Sequence, residues 1–178
     1  MADYRSSFTP EEIRDLWMTP RWLFSAINKQ LNFVCDIAAS EINHLLPTYI
    51  TKEMDAFNYD FEPFRGRYVF CNPPYSDITP WIDLAIKNRD EHGVGTVLLI
   101  PADTSVKWFG KCVDEANEIT FITEGRINFV RADTGVPVNG NTKGSMLVMF
   151  GTEKSANGLE TFYVDRKYLQ SEGTENEQ

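Results

Sequence analysis

Blocks of apolar residues alternate with amphipathic blocks along this chain, which predicts strands and helices in turn. The clearest block is Gly95 to Pro101, where Thr96-Val97-Leu98-Leu99-Ile100 forms a continuous apolar run. Such a run is typical of a strand in a parallel sheet that is covered on both faces. Other strands are predicted at Leu31 to Ala38 (with Asp36 at its end), Thr48 to Thr51, Tyr68 to Cys71, Ile119 to Thr123, Ile127 to Arg131, Ser145 to Phe150 and Thr161 to Val164.

Helical periodicity fills the intervals between these strands. Pro20 begins a pattern in which Trp22, Leu23, Ile27 and Leu31 share one face, and Thr19 is placed as its N-cap. Further helices are predicted at Ser40 to Leu46, Thr79 to Asn88 and Val106 to Ala116. Strands alternating with helices predict a three-layer α/β fold, with a mostly parallel sheet whose final strands pair antiparallel at one edge.

Length and composition add the domain organisation. A chain of 178 residues predicts a single domain, here 1–170, followed by an acidic tail at 171–178 that we expect to be disordered. Residues 1–10 read as a loose leader without a signal-peptide pattern, and no apolar run has the length of a membrane span, so a cytoplasmic location is expected. The segment Asp133 to Gly144 predicts a loop. The three widely spaced cysteines predict buried thiols rather than disulfides or a zinc site.

The motif Asn72-Pro73-Pro74-Tyr75 directly follows the strand at Tyr68 to Cys71 and carries the most chemistry. An Asn side-chain oxygen and the carbonyl of the first proline can together accept both N–H bonds of a planar amino group such as adenine N6. That arrangement localises the nitrogen lone pair for attack on a methyl donor. The prolines stiffen the turn, and Tyr75 offers a face for base stacking. The alternative is an ordinary strand exit rich in turn residues.

Together with other motifs, the chain resembles the phage-type DNA adenine-N6 methyltransferase (Dam) family. The matching residues, in order, are Trp17-Met18-Thr19-Pro20 with Leu23-Phe24, Asp36-Ile37-Ala38-Ala39 with Asn43, Asp55-Ala56-Phe57, Asn72-Pro73-Pro74-Tyr75-Ser76 with Trp81, Leu99-Ile100-Pro101-Ala102, and Gly125-Arg126-Ile127-Asn128-Phe129. This resemblance implies a Rossmann-like methyltransferase fold that uses S-adenosyl-L-methionine. It also implies a DNA substrate with the target adenine flipped out of the helix.

The resemblance also implies site residues. The catalytic residues would be Asn72, Pro73 and Tyr75; the cofactor-binding residues Trp17, Thr19, Pro20, Asp36, Ala38, Asp55, Phe57 and Asn72; and the substrate-binding residues Pro74, Tyr75, Arg126 and Phe129. Thr19-Pro20 would hold the methionine end of the cofactor, Asp36 would lie beside its ammonium, and Asp55 would accept from its adenine, with Phe57 packing near that ring. Phe129 is hypothesised, from its aromatic character, to close the second face of the target base.

The resemblance carries further expectations beside these roles. The expected partner is DNA, without a membrane or a metal, and the protein would be a monomer or weak dimer in the cytoplasm of a bacterial host. One departure from the general methyltransferase pattern is Ala38-Ala39, where most such enzymes have a glycine-rich turn. Asp36 and Asp55 have an alternative interpretation as turn or cap aspartates.

The acidic net charge of the chain is unusual for a protein that binds DNA, and it allows other functions. The net charge is −9, whereas proteins that bind duplex DNA usually show a basic footprint. DNA contacts would therefore depend on a local basic face, either Arg126 and Arg131 with Lys143 nearby, or Arg65 and Arg67. The acidic charge leaves two alternatives: a methyltransferase acting on RNA adenine or a protein glutamine amide, and a non-catalytic binding protein of the same fold that mimics DNA.

Overall fold

The chain builds a six-stranded sheet with helices on both faces, together with a small two-stranded ribbon. The computed structural model describes residues 17–131, 134–137 and 143–174. The strands are β1 (Trp17–Met18), β2 (Cys35–Asp36), β3 (Tyr68–Cys71), β4 (Gly95–Pro101), β5 (Glu118–Thr123), β6 (Val130–Arg131), β7 (Ser145–Phe150) and β8 (Glu160–Asp165). The helices are α1 (Arg21–Leu31), α2 (Thr79–Lys87), α3 (Lys107–Glu115) and α4 (Arg166–Thr174). No helix in these ranges is long and apolar enough to cross a bilayer.

The strand order β2-β3-β4-β7-β5-β8 confirms the predicted mostly parallel α/β sheet. β2, β3 and β4 run parallel to one another, and β8 runs parallel to β5. β7 is antiparallel to both of its neighbours and lies between β4 and β5, so the antiparallel strand is the third strand from the β8 edge rather than an edge strand. The physical reason is that β7 is apolar on both faces, which suits a strand covered on both sides.

Successive side chains along the central strands point alternately into two hydrophobic layers, one on each face of the sheet. Leu98 and Ile100 of β4 point into the layer under α2 and α3, whereas Val97 and Leu99 point into the layer under α1 and α4. β3 divides in the same way, because Val69 and Cys71 face one layer and Phe70 the other. This period of two explains the continuous apolar runs and confirms the three-layer arrangement. Cys35, Cys71 and Cys112 are free and buried, as predicted.

The predicted helix at Ser40 to Leu46 is wrong, because this segment consists of turns and bends. The Asn43 side chain accepts a hydrogen bond from the Ser40 N–H at 2.6 Å, and Asp36 accepts one from the Leu45 N–H at 3.1 Å. Side chains that capture backbone donors in this way compete with helix formation. The strand predicted at Thr48 to Thr51 is reduced to one bridge between Tyr49 and Asp36.

Helix α4 was not predicted, and it covers the start of the expected tail. Residues 171–174 are helical, with Leu169 and Gly173 buried in the layer shared with α1. The boundary expected at 171 therefore falls inside a helix. The rest of the tail at 175–178, the predicted leader at 1–10, and 133 and 138–142 of the predicted loop lie outside the described residues.

Gly173→Ala is expected to destabilise the fold by about 1–3 kcal/mol through overpacking. A Cβ atom at this position would lie 1.8 Å from the backbone oxygen of Trp22 in α1, so the two helices would have to separate. The matched control is Gly110→Ala in α3, where a Cβ meets no atom within 4 Å. We expect that variant to gain about 0.5–1 kcal/mol, because alanine is the better helix former. Urea unfolding of both variants gives the comparison, and equal effects would contradict the close approach of α1 and α4.

Candidate active site

A cleft opens at the carboxyl ends of β2 and β3, the edge where open α/β sheets bind ligands. β2 ends at Asp36, and Asn72 comes directly after β3. The free space in the cleft, including the part that is open to solvent, is about 380 Å³. Its lining residues are Trp17, Met18, Thr19, Asp36, Ala38, Asn43, Leu45, Phe70, Asn72 and Pro74. The fold thus brings together six of the predicted site residues: Trp17, Thr19, Asp36, Ala38, Asn72 and Pro74.

The Asn72 side chain has a defined orientation within this cleft. Its Nδ2 donates to the backbone carbonyl of Trp17 at 3.4 Å. Because a carbonyl can only accept, the amide turns its nitrogen toward Trp17 and directs Oδ1 to the other side. Oδ1 is buried and has no hydrogen-bond partner among the described residues. Leaving such an acceptor unsatisfied costs about 1–3 kcal/mol, so its surroundings suit a ligand that carries an N–H donor.

Asp36 places a carboxylate in the same cleft. Its side chain is only 4 % exposed, and Oδ2 accepts from the Leu45 N–H. Burial raises the pKa of Asp36 from 3.8 to about 6, although the N–H groups of Leu45 and Ala38 and the nearby His44 partly oppose this shift. The ionised carboxylate is thus disfavoured by its own surroundings, and a cationic ligand group would stabilise it.

Thr19 does not cap α1, contrary to the prediction. The cap residue is Pro20, whose carbonyl accepts from the N–H groups of Leu23 and Phe24 at 3.0 and 3.2 Å. The Thr19 hydroxyl is instead buried against the cleft, without a partner among the described residues. The start of a helix with no side-chain cap attracts anions through its N–H groups and dipole. The hydroxyl and the helix start together form a suitable environment for an anionic group.

Asp55 and Phe57 lie outside this cleft. Asp55, at φ +55°, accepts from the Phe57 N–H at 3.1 Å and from Asn58 Nδ2 at 2.6 Å, so its carboxylate caps a 3₁₀ turn, Ala56–Asn58. The Phe57 ring is 41 % exposed and packs against Trp81 with ring centroids 4.9 Å apart. Phe57 borders a shallow neighbouring groove beside the start of α2. A cofactor role for these two residues stays a prediction.

The structure departs from the expectation for Phe129. This side chain is 1 % exposed, with its ring stacked on Trp17 at 6.0 Å and edge-on to Tyr75 at 5.9 Å. Ile127 and Phe129 are buried while Asn128 is exposed, so this alternation just before β6 directs the ring inward. Phe129 is therefore a core residue, and it offers no open face to a base.

Tyr75 is anchored at one end and half-buried overall. Its hydroxyl donates to the Leu99 carbonyl at 3.4 Å. Burial raises the pKa of this hydroxyl well above its ordinary value, and the neighbouring Cys71 adds to the shift. Tyr75 accordingly stays neutral over the working pH range. The preceding Pro73 is buried, and Pro74 lines the cleft.

The two predicted basic faces lie at opposite edges of the sheet. Arg65 and Arg67 precede β3 and are thus at the edge away from the cleft, where Arg65 forms a bidentate ion pair with Glu62 at 2.8 and 2.7 Å. They are not candidates for contacts beside this site. Arg126 is exposed and follows β5, which points the same way as β3, so it lies on the cleft side. Lys143, before β7, is paired with Asp103 at 2.5 Å.

Sequence reasoning missed several residues of the cleft as site members. Met18 follows Trp17 in β1, and Phe70 and Leu45 contribute apolar surface. Asn43, part of the family pattern, lines the cleft while its oxygen holds the Ser40 N–H. The motif order contained a signal for Met18 and Asn43, but no sequence feature marked Leu45 or Phe70.

Comparison with known proteins places this chain in a family. The family model described as DNA N-6-adenine-methyltransferase (Dam) matches residues 6–176. A DNA N-6-adenine-methyltransferase of Haemophilus phage HP1 is 36 % identical over 169 residues, which cover 94 % of this chain and 96 % of that protein. A protein of the same description from Escherichia phage T1 is 31 % identical over 176 residues, covering 90 % of this chain and 73 % of its own length. The chain belongs to the DNA N-6-adenine-methyltransferase (Dam) family.

Proposed function

We propose that this protein transfers a methyl group from S-adenosyl-L-methionine to the exocyclic N6 of adenine in DNA. The observation that carries this function is the buried Oδ1 of Asn72, which has no partner among the described residues and belongs to the Asn-Pro-Pro-Tyr motif at the end of β3. The family membership supports the same reaction.

The cleft suits the amino-acid end of the cofactor. Asp36 would bind its ammonium group, and the Thr19 hydroxyl with the start of α1 after Pro20 would bind its carboxylate. One position favours a positive group and the other a negative group, as the zwitterionic end of the cofactor requires. The bound cofactor would supply a methyl group activated by a sulfonium centre. Ala38 lines the same cleft, and its small side chain permits close approach even without a glycine-rich turn.

The residues around Asn72 would orient the target amine. Asn72 Oδ1 and the carbonyl of Pro73 accept its two N–H bonds, which localises the nitrogen lone pair toward the methyl group. Pro74 and Tyr75 line the position of the base. The adenine leaves the duplex stack to reach this site, which costs a few kcal/mol. Once methylated, the nitrogen loses a proton to restore a neutral base, so no strong base is required.

The substrate class is tested by offering labelled cofactor with unmodified duplex DNA, total RNA and cell lysate. We expect label in DNA, at adenine N6. Label that enters RNA or protein but never DNA would assign the site to the alternative substrates. No detectable cofactor binding in calorimetry at millimolar concentration would instead favour the non-catalytic binding protein.

Arg126 is proposed to contact a DNA phosphate beside the site, together with Arg131. A protein of net charge −9 has few cationic contacts with a polyanion, so each contact should be visible in the salt dependence of binding. Arg126→Ala is expected to weaken binding to all sequences and to flatten the slope of log affinity against log salt by about one unit. Base preference should survive, because phosphate contacts carry no sequence information. Equal slopes with a lower melting temperature would assign Arg126 to structure.

A further inference from the structure

Trp17 lies between the catalytic amide and the segment that carries the proposed phosphate contacts. Its backbone carbonyl accepts from Asn72 Nδ2. Its strand, β1, pairs antiparallel with β6, so that Trp17 is opposite Arg131. Its indole stacks on Phe129 with an interplanar angle of 18°. One residue therefore contacts the amide through its main chain and the substrate-side segment through its ring.

The carbonyl of Trp17 decides which end of the Asn72 amide faces the target amine. An amide rotated by 180° would direct its NH₂ group at the amine, and two donors cannot bond to each other. Within the described residues, the hydrogen bond to Trp17 is the contact that selects the productive rotation. The direction of the catalytic acceptor thus depends on where β1 holds this carbonyl.

The position of β1 depends in turn on Phe129. Within the described residues, β1 and its ladder with β6 each span two residues, and the Trp17–Phe129 ring contact is a second contact that holds β1 in place. The stacked Trp17–Phe129 pair stabilises this position by ring–ring contact in addition to the burial of apolar surface. Phe129 is buried and also touches Tyr75 edge-on, so the same ring is packed against two residues of the site.

We propose that Trp17 is a positioning residue that acts through Asn72 and links the segment from Arg126 to Arg131 with the catalytic acceptor. This role rests on the proposed function of Asn72 and replaces a direct cofactor contact as the main role of Trp17. A shift of the 126–131 segment on DNA would move Phe129, the indole and the carbonyl together. The Asn72 amide would then direct Oδ1 at the target amine only while the 126–131 segment is bound to DNA.

A double-mutant cycle between Trp17→Ala and Asn72→Ala tests the link. Labelled-methyl transfer is measured at saturating DNA and cofactor, and cofactor affinity is measured by calorimetry. Trp17→Ala is expected to lower kcat by up to about 100-fold when Asn72 is present, because a misplaced group loses that much. In the Asn72→Ala background it should change kcat by less than about two-fold, since the positioned group is gone. Cofactor affinity should stay unchanged.

Equal losses in both backgrounds would overturn the link, and so would a cofactor affinity weakened by Trp17→Ala in both. Trp17→Phe keeps a stacked ring without Nε1–H, so it should retain most of the wild-type kcat; a loss as large as that of alanine would overturn the role of the stack. Leu169→Ala, in the same core but away from the cleft, controls for stability and should lower the melting temperature without lowering kcat.

Phe129→Leu tests the same link by changing the ring that stacks on Trp17, and it replaces Trp17→Ala if that variant does not fold. It should lower kcat when Asn72 is present and leave kcat unchanged in the Asn72→Ala background. Losses that do not depend on Asn72 would overturn the proposal. Failure of the proposed function looks different, because Asn72→Ala by itself would then keep wild-type turnover.

Discussion

Asn72→Ala is expected to lower kcat by about 10²–10³-fold, the usual loss when one group that stabilises the transition state is removed. The variant removes the buried Oδ1 that would accept from the target amine. Cofactor affinity should change little, because the proposed charged contacts of the cofactor lie at Asp36 and the start of α1. Single-turnover methylation and calorimetry on the same preparation separate the two quantities.

The control for this substitution is Asn157→Ala. Asn157 is exposed in the connection between β7 and β8, at the edge of the sheet away from the cleft, so turnover should not change. A wild-type kcat for Asn72→Ala would remove Asn72 from the mechanism. A loss of folding in the variant is not expected, because truncation relieves an unsatisfied buried acceptor.

Asp36→Ala is expected to weaken cofactor binding by about 2–5 kcal/mol, the range for truncating one partner of a buried charge pair. The loss should appear in calorimetry with S-adenosyl-L-methionine and in the cofactor KM, while kcat at saturating cofactor falls less. Asp36→Asn is the matched variant, because it keeps an acceptor for the Leu45 N–H and removes only the charge. Unchanged affinity in both variants would show that the cofactor is placed wrongly.

The pH dependence of cofactor binding follows from the same carboxylate. The ammonium group requires ionised Asp36, whose pKa in the free protein is about 6. Affinity should therefore fall as the pH drops below about 6, and it should become insensitive to pH in Asp36→Asn. His44→Gln removes the neighbouring histidine and controls for its electrostatic effect on Asp36. An unaltered pH profile in Asp36→Asn would assign the titration to another group.

The folding stability of the cofactor-free protein should depend on pH in the opposite direction from cofactor affinity, because of Asp36. The folded pKa of about 6 exceeds the ordinary value of 3.8, so the folded state holds its proton longer than the unfolded state. Stability is then lost as the pH rises through this window, by roughly 3 kcal/mol as an upper bound. Without cofactor, Asp36→Asn should consequently be more stable than the wild type at pH 8, as measured by urea unfolding.

Features that cost stability gather in this one cleft. Trp17 Nε1, Thr19 Oγ1 and Asn72 Oδ1 are buried without partners among the described residues, and Asp36 is a buried carboxylate. Two further atoms, Asn88 Oδ1 and Arg166 Nε, are also buried without partners among the described residues, but they lie elsewhere in the fold. Local departures from good packing and hydrogen bonding are expected at functional sites, where a ligand supplies the missing contacts.

The central strands and helices, and the motif at their centre, could be predicted from the amino-acid sequence. β4 and β7 begin and end at the predicted residues, and α3 lies within one residue of its predicted bounds. The bounds of long apolar or strongly periodic segments can be predicted, because only one type of element, helix or strand, buries such a pattern of apolar residues. The predicted strand ends placed Asp36 and Asn72 at the same edge of the sheet, and the family resemblance implied that Trp17 and Thr19 would join them.

Several local features could not be predicted from the sequence, because they depend on how the chain folds in three dimensions. Thr19 is a cleft residue because the Pro20 carbonyl begins α1, and Phe129 is a core residue because Trp17 covers its face. The Ser40 to Leu46 segment is not helical because the Ser40 and Leu45 N–H groups donate to the side chains of Asn43 and Asp36. α4 depends on the close approach of Gly173 to α1. The outcomes for Phe129 and α4 depend on partners far away in the chain, and the others depend on single hydrogen bonds, and local periodicity contains no information on either.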